Sequence, residues 1–332
     1  MTPRRFTSLE ICAGTGGQAL GLESAGFDPV ALVENDRHSC TTLRTNRPGW
    51  NVLEMDVLQF DPSEHKYTYD VDLLAAGLPR VRSVAAAARG SDDHERRLLL
   101  ATVLLTSVVL PRAVLIENVP KLVTADEFEE LRTEVKAELE HLGYRLHWGT
   151  VNAKDFGVAQ DREQGVLVAL KGAAGDAFRW PAPLVTASAT VGDVLHASMA
   201  ALGWPYADRW AAGAQRPAPT LVGGSKKHGG ADLGPSGTKK AWAAMGLNGW
   251  GVGNAVPGPD TEWVAPGGDG KSLPKLTIPQ IALLQAFPTH WQTCAGKTSQ
   301  YRQLAQASPP PVAAALGRSI ATALTSADGA GP

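Results

Sequence analysis

The sequence predicts an α/β fold in which a parallel, doubly wound sheet has helices on both faces. Short apolar runs alternate with amphipathic stretches from residue 7 to residue 170, and a glycine-rich turn follows the first apolar run. Near residue 173 the local composition changes, because stretches rich in Gly, Pro, Ser and Trp replace the periodic segments. This change predicts a small, irregular second domain.

The predicted elements follow one another in the order expected of such a sheet. Apolar runs predict strands at TSLEICAG, PVALVEND, NVLEMDV, VDLLAAGLP, AVLIENVP, RLHWGTVNA and QGVLVALKG. Helical spacing is found in GTGGQALGLESAGF, HERRLLLATVLLTSVVL and ADEFEELRTEVKAELEHLGY. The last of these helices starts with acidic residues and has Gly143 at its end, where glycine is a favourable C-cap.

The same change in local composition predicts the domain boundaries. Residues 1–172 form the large domain, residues 173–275 the small one, and residues 276–332 a C-terminal segment that returns to the large domain. Six of the nine tryptophans lie in residues 173–275, which indicates a compact core there rather than a linker. In the C-terminal segment, LTIPQIALLQAFP and PPPVAAALGRSIATAL have helical spacing.

Composition excludes several classes of protein. Lys and Arg total 31 against 33 Asp and Glu, so any contact with nucleic acid depends on local basic loops. The three cysteines form no C-x-x-C pair and the eight histidines are scattered, so we expect neither a disulfide framework nor a metal site. No apolar run is long enough to span a bilayer, and no secretory signal is evident. We therefore expect a cytoplasmic protein without membrane contact.

The turn after the first strand predicts a nucleoside-containing cofactor. The run Ala13-Gly14-Thr15-Gly16-Gly17 lets the backbone approach a ligand and directs helix N-terminal amides at it. The second strand ends at Glu34, before Asn35, where an acid can accept both hydroxyls of a ribose. The third strand ends at Asp56-Val57, a pair placed to hold an adenine edge. The G-x-G-G form favours S-adenosylmethionine over a dinucleotide.

Further motifs occur in a definite order along nearly the whole chain. They are LEICAGTGG at 9–17, ENV at 117–119, DFGVAQDR at 155–162, RPAPT at 216–220, the segment 276–285, YRQ at 301–303 and PPP at 309–311. In this order they resemble the DNA cytosine-5 methyltransferases, and most of all the actinobacterial members. The resemblance implies a Rossmann-like, S-adenosylmethionine-dependent methyltransferase fold with a small target-recognition domain. It also implies double-stranded DNA with a flipped-out base as the partner.

The resemblance assigns roles to individual residues. Those implied to contact the cofactor are Cys12, Ala13, Gly14, Thr15, Gly16, Gly17, Glu34, Asn35, Asp56, Val57, Gly77, Gln306 and Ala307. Glu117 is implied to contact the ring of the flipped cytosine, and Arg162 belongs to the same catalytic set. The residues expected to contact DNA, as cations that neutralise phosphates, are Arg82, Lys226, Lys227 and Lys239.

The departures from the family pattern fall on its chemistry. The family's catalytic loop reads G-G-x-P-C-x-P-F-S, and its cysteine attacks C6 of cytosine; here AGLPRVRS at 76–83 has Arg80 in that place. Asp93 and Glu95-Arg96 keep the register of the family's D-x-E-R, so misalignment does not explain the replacement. Gln164 replaces an arginine that grips the cytosine carbonyl, and AQA at 305–307 replaces G-N-A.

Three hypotheses about function remain open. In the first, the protein binds S-adenosylmethionine and DNA but has lost the cysteine-dependent methylation, because arginine stays protonated and cannot add covalently to the base. In the second, it is a repurposed methyltransferase that acts on another atom or on a small nucleobase-like substrate. In the third, it is a DNA methyltransferase subunit that a partner chain completes. Cys12, Cys40 and Cys294 are interpreted as packed thiols rather than substitute nucleophiles.

Overall fold

A seven-stranded sheet, in the order β3-β2-β1-β4-β5-β8-β6, organises the N-terminal half of the chain in the computed structural model. The structure describes residues 5–81, 94–184, 188–223 and 230–329. The strands of this sheet are β1 (Phe6–Ile11), β2 (Phe27–Glu34), β3 (Val52–Glu54), β4 (Leu73–Gly77), β5 (Ala113–Asn118), β6 (Tyr144–Asn152) and β8 (Glu163–Lys171). Each observed strand lies within one of the apolar runs that predict strands, or extends beyond that run by a few residues.

The α/β fold is confirmed, with one difference in strand direction. Neighbouring strands from β3 to β5 pair in parallel, as predicted. Strand β8 pairs with β5 in the antiparallel sense, from Ala113 opposite Leu170 to Asn118 opposite Gly165. The sheet is therefore mostly parallel. The run QGVLVALKG could not show its direction, because a strand buried on both faces has the same apolar pattern either way.

Helices form in all five segments that have helical spacing, and further helices form outside those segments. The helices are α1 (Gly17–Ser24), α2 (Arg37–Asn46), α3 (His94–Val109), α4 (Pro120–Thr124), α5 (Glu129–His141), α6 (Gly172–Ala177), α7 (Val191–Ala200), α8 (Ala207–Gly213), α9 (Ser236–Ala243), α10 (Ile278–Leu284), α11 (Lys297–Gln306) and α12 (Pro310–Gly329). Gly143 ends α5 with a φ of 84°, as its predicted role as a C-cap requires. None of the helices in the described ranges is long and apolar enough to cross a bilayer.

Helices cover both faces of the sheet, as predicted. Successive side chains of a strand point to opposite faces. Along β2, Val33 belongs to an apolar cluster that includes Leu99 of α3 and Leu131 of α5. Its neighbour Leu32 packs instead in a cluster with Leu43 of α2. The two clusters are the cores on the two faces.

Residue contacts divide the chain into two units, which differ from the predicted domains. The first unit comprises residues 1–151, 163–182 and 312–332, and the second comprises residues 152–162 and 183–311. Residues 152–162 and 276–311 therefore group with the second unit, although the sequence places them with the large domain. Buried hydrogen bonds explain this grouping, because Gln160 Nε2 donates to Gln285 Oε1 at 2.8 Å and Arg162 Nη1 donates to the Ala305 carbonyl at 2.8 Å.

The tryptophan core predicted for the small domain forms in part: Trp250 is 46% exposed and Trp180 groups with the first unit. Trp204, Trp210 and Trp242 are buried. The indole nitrogen of Trp210 donates to the Met245 carbonyl at 3.0 Å, and that of Trp204 donates to the Thr261 carbonyl at 2.9 Å. A two-stranded parallel pair, β7 (Gln160–Asp161) and β9 (Ala218–Pro219), lies in the second unit.

Glu10 is a carboxyl group buried within the central strand β1. Its side chain is fully buried, and its nearest polar partner is the Ser8 hydroxyl, 3.5 Å from Oε1. The second oxygen, Oε2, has no hydrogen-bond partner among the described residues. Burial raises the pKa of Glu10 to about 8, because the charged form is poorly solvated there. Glu10 is therefore mostly protonated at neutral pH.

We expect Glu10→Gln to remove a pH dependence of stability. The folded pKa of Glu10 lies above the unfolded value of about 4.3. Between these two values the folded chain holds one more proton than the unfolded chain, so stability falls as pH rises, by about 1.4 kcal/mol per pH unit. Glutamine has a similar shape and does not titrate, so the variant should melt at a higher temperature than the wild type near about pH 9.

Thermal denaturation of both proteins from about pH 5 to about pH 9 measures this effect. The difference in melting temperature should grow with pH and level off above the folded pKa. Parallel pH profiles for the two proteins would show that Glu10 does not titrate as described.

Candidate functional site

The glycine turn between β1 and α1 has the backbone geometry that a ligand-binding turn needs. Gly14 has a φ of 56° and Gly16 a φ of 90°, both in the left-handed region that favours glycine. Cys12 also has a positive φ, 51°, which is uncommon for a residue with a Cβ. Gly16 precedes α1 and no side chain caps the first turn. The amides there can therefore donate to an acceptor on a ligand. The buried residues of the turn are Ala13, Thr15, Gly16 and Gly17.

Glu34 at the end of β2 is joined to this turn. One carboxylate oxygen accepts the Gly14 amide at 2.7 Å, and the other accepts the Asp36 amide at 2.7 Å. Burial raises the pKa of Glu34, and these two amide donors oppose the rise. Each oxygen has a second lone pair, so the carboxylate can still accept a pair of hydroxyl groups. The neighbouring Asn35 is exposed.

Asp56 and Val57 follow β3, beside Glu34. The Met55 amide donates to the Glu34 carbonyl at 3.0 Å, which joins the ends of β2 and β3. The Asp56 carboxylate accepts the Leu58 amide at 2.9 Å and so caps the 3-10 turn Val57–Gln59. The side chain of Val57 is half-buried. Glu34, which is predicted to bind the ribose, and Asp56-Val57, which are predicted to bind the adenine, therefore lie at the ends of neighbouring strands.

Gly77 ends β4, on the other side of β1 from β2. A Cβ at this position would lie 3.2 Å from the Cys12 carbonyl oxygen and 3.7 Å from Gln18 Oε1. The first distance is tighter than most real Cβ contacts, so a larger residue would press against the backbone of the glycine turn. The positive φ angles of the turn, the carboxylate of Glu34 and the lack of a side chain at Gly77 together fit a nucleoside-containing cofactor.

Asn118 fixes the segment that contains Arg80. Its Nδ2 donates to the Pro79 carbonyl at 3.1 Å, and its Oδ1 accepts the Val81 amide at 3.0 Å. Both neighbours of Arg80 are thus tied to the end of β5. The sequence did not reveal this role, since an asparagine before Val-Pro also suits a helix cap. Here α4 has Val119 as its N-cap residue, without a side-chain cap.

Arg80 and Glu117 therefore lie at the ends of neighbouring strands. Strands β4 and β5 pair in parallel with Gly77 opposite Glu117. Arg80 is exposed and Glu117 is half-buried. Within the described ranges neither side chain makes a hydrogen bond or an ion pair, so both are available to a ligand. A carboxylate at this place can accept donors on a base edge, and the guanidinium can contact a phosphate.

Arg162 is placed among backbone carbonyls of the second unit. It is 3% exposed, and Nη1 donates to the Ala305 carbonyl at 2.8 Å and the Leu221 carbonyl at 3.4 Å. Nη2 donates to the Gln306 carbonyl at 3.4 Å. These contacts support a role in holding this segment, and the catalytic role that the resemblance implies stays a prediction.

Gln306 and Ala307, two of the predicted cofactor contacts, belong to the same unit as Arg162. The side chain of Gln306 is exposed. The Ala307 carbonyl accepts Gln285 Nε2 at 3.4 Å. Contact of these two residues with a cofactor remains a prediction.

The basic residues predicted to contact DNA have different positions. Arg82, Lys226 and Lys227 lie outside the described residues. Lys239 has its Nζ 3.0 Å from Asp232 Oδ2 and 4.3 Å from the centre of the Trp250 ring, and its side chain is 13% exposed. The charge of Lys239 is thus already paired within the second unit, which limits what it can offer a phosphate.

Comparison with known proteins identifies relatives along the whole length of the chain. The C-5 cytosine-specific DNA methylase family matches residues 6–322. The type II methyltransferase M.NaeI of Lentzea aerocolonigenes is 44% identical over 321 residues, which cover 95% of this chain and 75% of that protein. M.NgoMIV of Neisseria gonorrhoeae is 39% identical over 324 residues, covering 96% of this chain and 98% of that protein.

Solved structures share the same fold at low sequence identity. The Entamoeba histolytica methyltransferase EhMeth has a TM-score of 0.66 at 12% identity, covering 96% of this chain and 98% of its own. The Schizosaccharomyces pombe Dnmt2 methyltransferase has a TM-score of 0.61 at 16% identity, covering 98% of this chain and 100% of its own. At such identities the likeness concerns the fold alone.

Proposed function

Because the chain belongs to the C-5 cytosine-specific DNA methylase family, we propose that it binds S-adenosylmethionine and DNA without methylating cytosine by the family's cysteine route. The observation that supports this proposal is Arg80, held between Pro79 and Val81 by the side chain of Asn118. It stands at the end of β4, beside Glu117, where the resemblance places the attacking thiol. The protein would act as a DNA-binding pseudoenzyme.

The cofactor of this family is S-adenosylmethionine, whose bound form supplies an electrophilic methyl group. The residues that would hold this cofactor lie in the first unit, at the ends of strands β1 to β4. The amides of the glycine turn would donate to the cofactor, Glu34 would accept the ribose hydroxyls, and Asp56-Val57 would hold the adenine. Gly77, where a Cβ would already lie 3.2 Å from the Cys12 carbonyl oxygen, would keep side-chain atoms away from the rest of the molecule.

The chemistry at Arg80 explains why methylation at C5 should fail. The C5 carbon of cytosine becomes a nucleophile only after a thiolate has added to C6. A guanidinium remains protonated at physiological pH and cannot make this addition. Burial raises the pKa of Cys12 to about 12, and the same cause raises the pKa of Cys40 to about 12, so both thiols stay protonated. Neither can replace the missing thiolate.

The remaining polar groups support recognition of a base without a covalent step. The Glu117 carboxylate has no partner within the described ranges and can accept donors from the base edge. Arg80 adds a cation at the same edge of the sheet, which favours the phosphate backbone. Binding should weaken as salt concentration rises, with a slope that is set by the number of phosphates contacted.

A repurposed methyltransferase is the second candidate function. The intact glycine turn and the available carboxylate of Glu117 favour it, because an atom more nucleophilic than C5 needs no thiolate. A DNA methyltransferase subunit completed by a partner chain is the third. Labelled methyl transfer to nucleosides would identify the second, and transfer to DNA only after addition of a partner would identify the third.

Three measurements on the purified wild-type chain test the proposal. Isothermal calorimetry should show binding of S-adenosylmethionine, and a gel-shift assay should show binding of duplex DNA. Duplex DNA that contains 5-fluorocytosine should then give no covalent adduct on a denaturing gel, because no thiolate adds to the base. Absence of cofactor binding, or a covalent band with the wild type, would refute the proposal.

A further inference from the structure

Gln18 is a buried polar side chain whose carbonyl oxygen has no partner. It is the second residue of α1 and is 6% exposed. Its Oε1 makes no hydrogen bond with any of the described residues. A buried acceptor left without a donor destabilises a fold, because it loses its hydrogen bonds to water and gains none. Such a group is expected where a ligand supplies the missing donor.

The position of this oxygen shows where that donor would be. A Cβ added at Gly77 would lie 3.7 Å from Gln18 Oε1 and 3.2 Å from the Cys12 carbonyl oxygen. Two acceptor oxygens thus lie close to Gly77, on the side where a side chain would project. A ligand group with several N–H donors on one atom suits such a place better than a single hydroxyl.

The order of the strands indicates which end of the cofactor this is. S-adenosylmethionine has donors on its adenine, on its ribose and on the amino group of its methionine moiety. Glu34 and Asp56 follow β2 and β3, on one side of β1, whereas Gly77 ends β4 on the other side. If β2 and β3 hold the ribose and the adenine, the donor of the cofactor that can lie beside β4 is the ammonium group of its methionine moiety.

We propose that Gln18 Oε1 accepts a hydrogen bond from the α-ammonium group of S-adenosylmethionine. This inference rests on the proposed binding of that cofactor and adds to it a residue that recognises the amino-acid moiety. The bond has a charged donor, so it is stronger than a bond between neutral groups. The sequence did not reveal Gln18, since nothing in the run GGQAL distinguishes it from an exposed helical glutamine.

Calorimetry with two ligands tests this assignment. Gln18→Leu keeps the side-chain volume but removes the acceptor. S-adenosylmethionine should bind this variant about tenfold to a hundredfold more weakly than the wild type, as expected for a lost charge-assisted hydrogen bond. The matched ligand is 5′-methylthioadenosine, which keeps adenine and ribose but lacks the amino-acid moiety. Its affinity should change by less than about twofold.

The melting temperature of the ligand-free variant provides an independent measurement. Because Gln18 Oε1 has no partner in the described structure, its removal should not lower that temperature. Gln18→Met, with an unbranched side chain, serves as a second variant. Unchanged affinity for S-adenosylmethionine, or equal weakening of both ligands, would overturn the assignment. Failure of the wild type itself to bind S-adenosylmethionine would instead refute the proposed function, and the assignment with it.

Discussion

Arg80→Cys combined with Gln164→Arg is expected to give the chain a covalent reaction with duplex DNA containing 5-fluorocytosine. The first change places a thiol beside Glu117, on a segment that Asn118 holds to the end of β5. The second restores the arginine that the resemblance assigns to the cytosine carbonyl. The rate of adduct formation should exceed that of the wild type by at least about 10³-fold, because loss of a nucleophile costs enzymes roughly 10⁶-fold in rate.

A denaturing gel with labelled DNA and S-adenosylmethionine measures this gain. Arg318→Cys is the matched control, because Arg318 is exposed on α12 in the same unit. Gln164 is 2% exposed, so an arginine at this position can disturb folding. The single variant Arg80→Cys is therefore measured alongside, and circular dichroism checks the folding of both variants. A folded, cofactor-binding double variant with no adduct above the Arg318→Cys level would contradict the claim that the replacements at Arg80 and Gln164 account for the lost reaction.

Glu34→Ala is expected to weaken the binding of S-adenosylmethionine by about a hundredfold or more. The carboxylate accepts the Gly14 and Asp36 amides at 2.7 Å each and leaves lone pairs for the ribose hydroxyls. Its loss removes the hydrogen bonds to the ligand and releases the glycine turn at the same time, each an effect of about 1–3 kcal/mol. Isothermal calorimetry measures the affinity.

The control for this prediction is Glu54→Ala. Glu54 pairs with Glu34 in the register of β2 and β3, but its carboxylate is exposed and forms an ion pair with Arg44 at 2.8 Å. Exposed ion pairs add little to stability, so Glu54→Ala should change the affinity by less than about twofold. Equal affinities of the two variants would show that Glu34 does not hold the ribose.

The strands and helices were the most predictable part of this protein. Apolar runs and helical spacing reflect burial on the sheet faces, so they located β1 to β5 and α5 within a few residues. The direction of β8 and the unit to which Gln160 and Arg162 belong were not predictable. Both depend on pairing partners that are distant in sequence, such as Gln285 and Ala305.

The cofactor turn was predictable for a different reason. Gly14 and Gly16 adopt positive φ angles that few other residues tolerate, and the acid Glu34 is the last residue of β2. Asn118 and Gln18 could not be found in this way. The role of Asn118 depends on a hydrogen bond to the loop that contains Val81, and that of Gln18 depends on the lack of a hydrogen-bond partner. Neither feature leaves a pattern in the sequence.

Transfer of labelled methyl groups from S-adenosylmethionine to duplex DNA by the purified wild-type chain is the most direct test of the central claim. Calorimetry on the same preparation establishes that the cofactor is bound. The account predicts that the cofactor binds and that no 5-methylcytosine forms, because Arg80 cannot add to C6. Formation of 5-methylcytosine by this chain alone would contradict it.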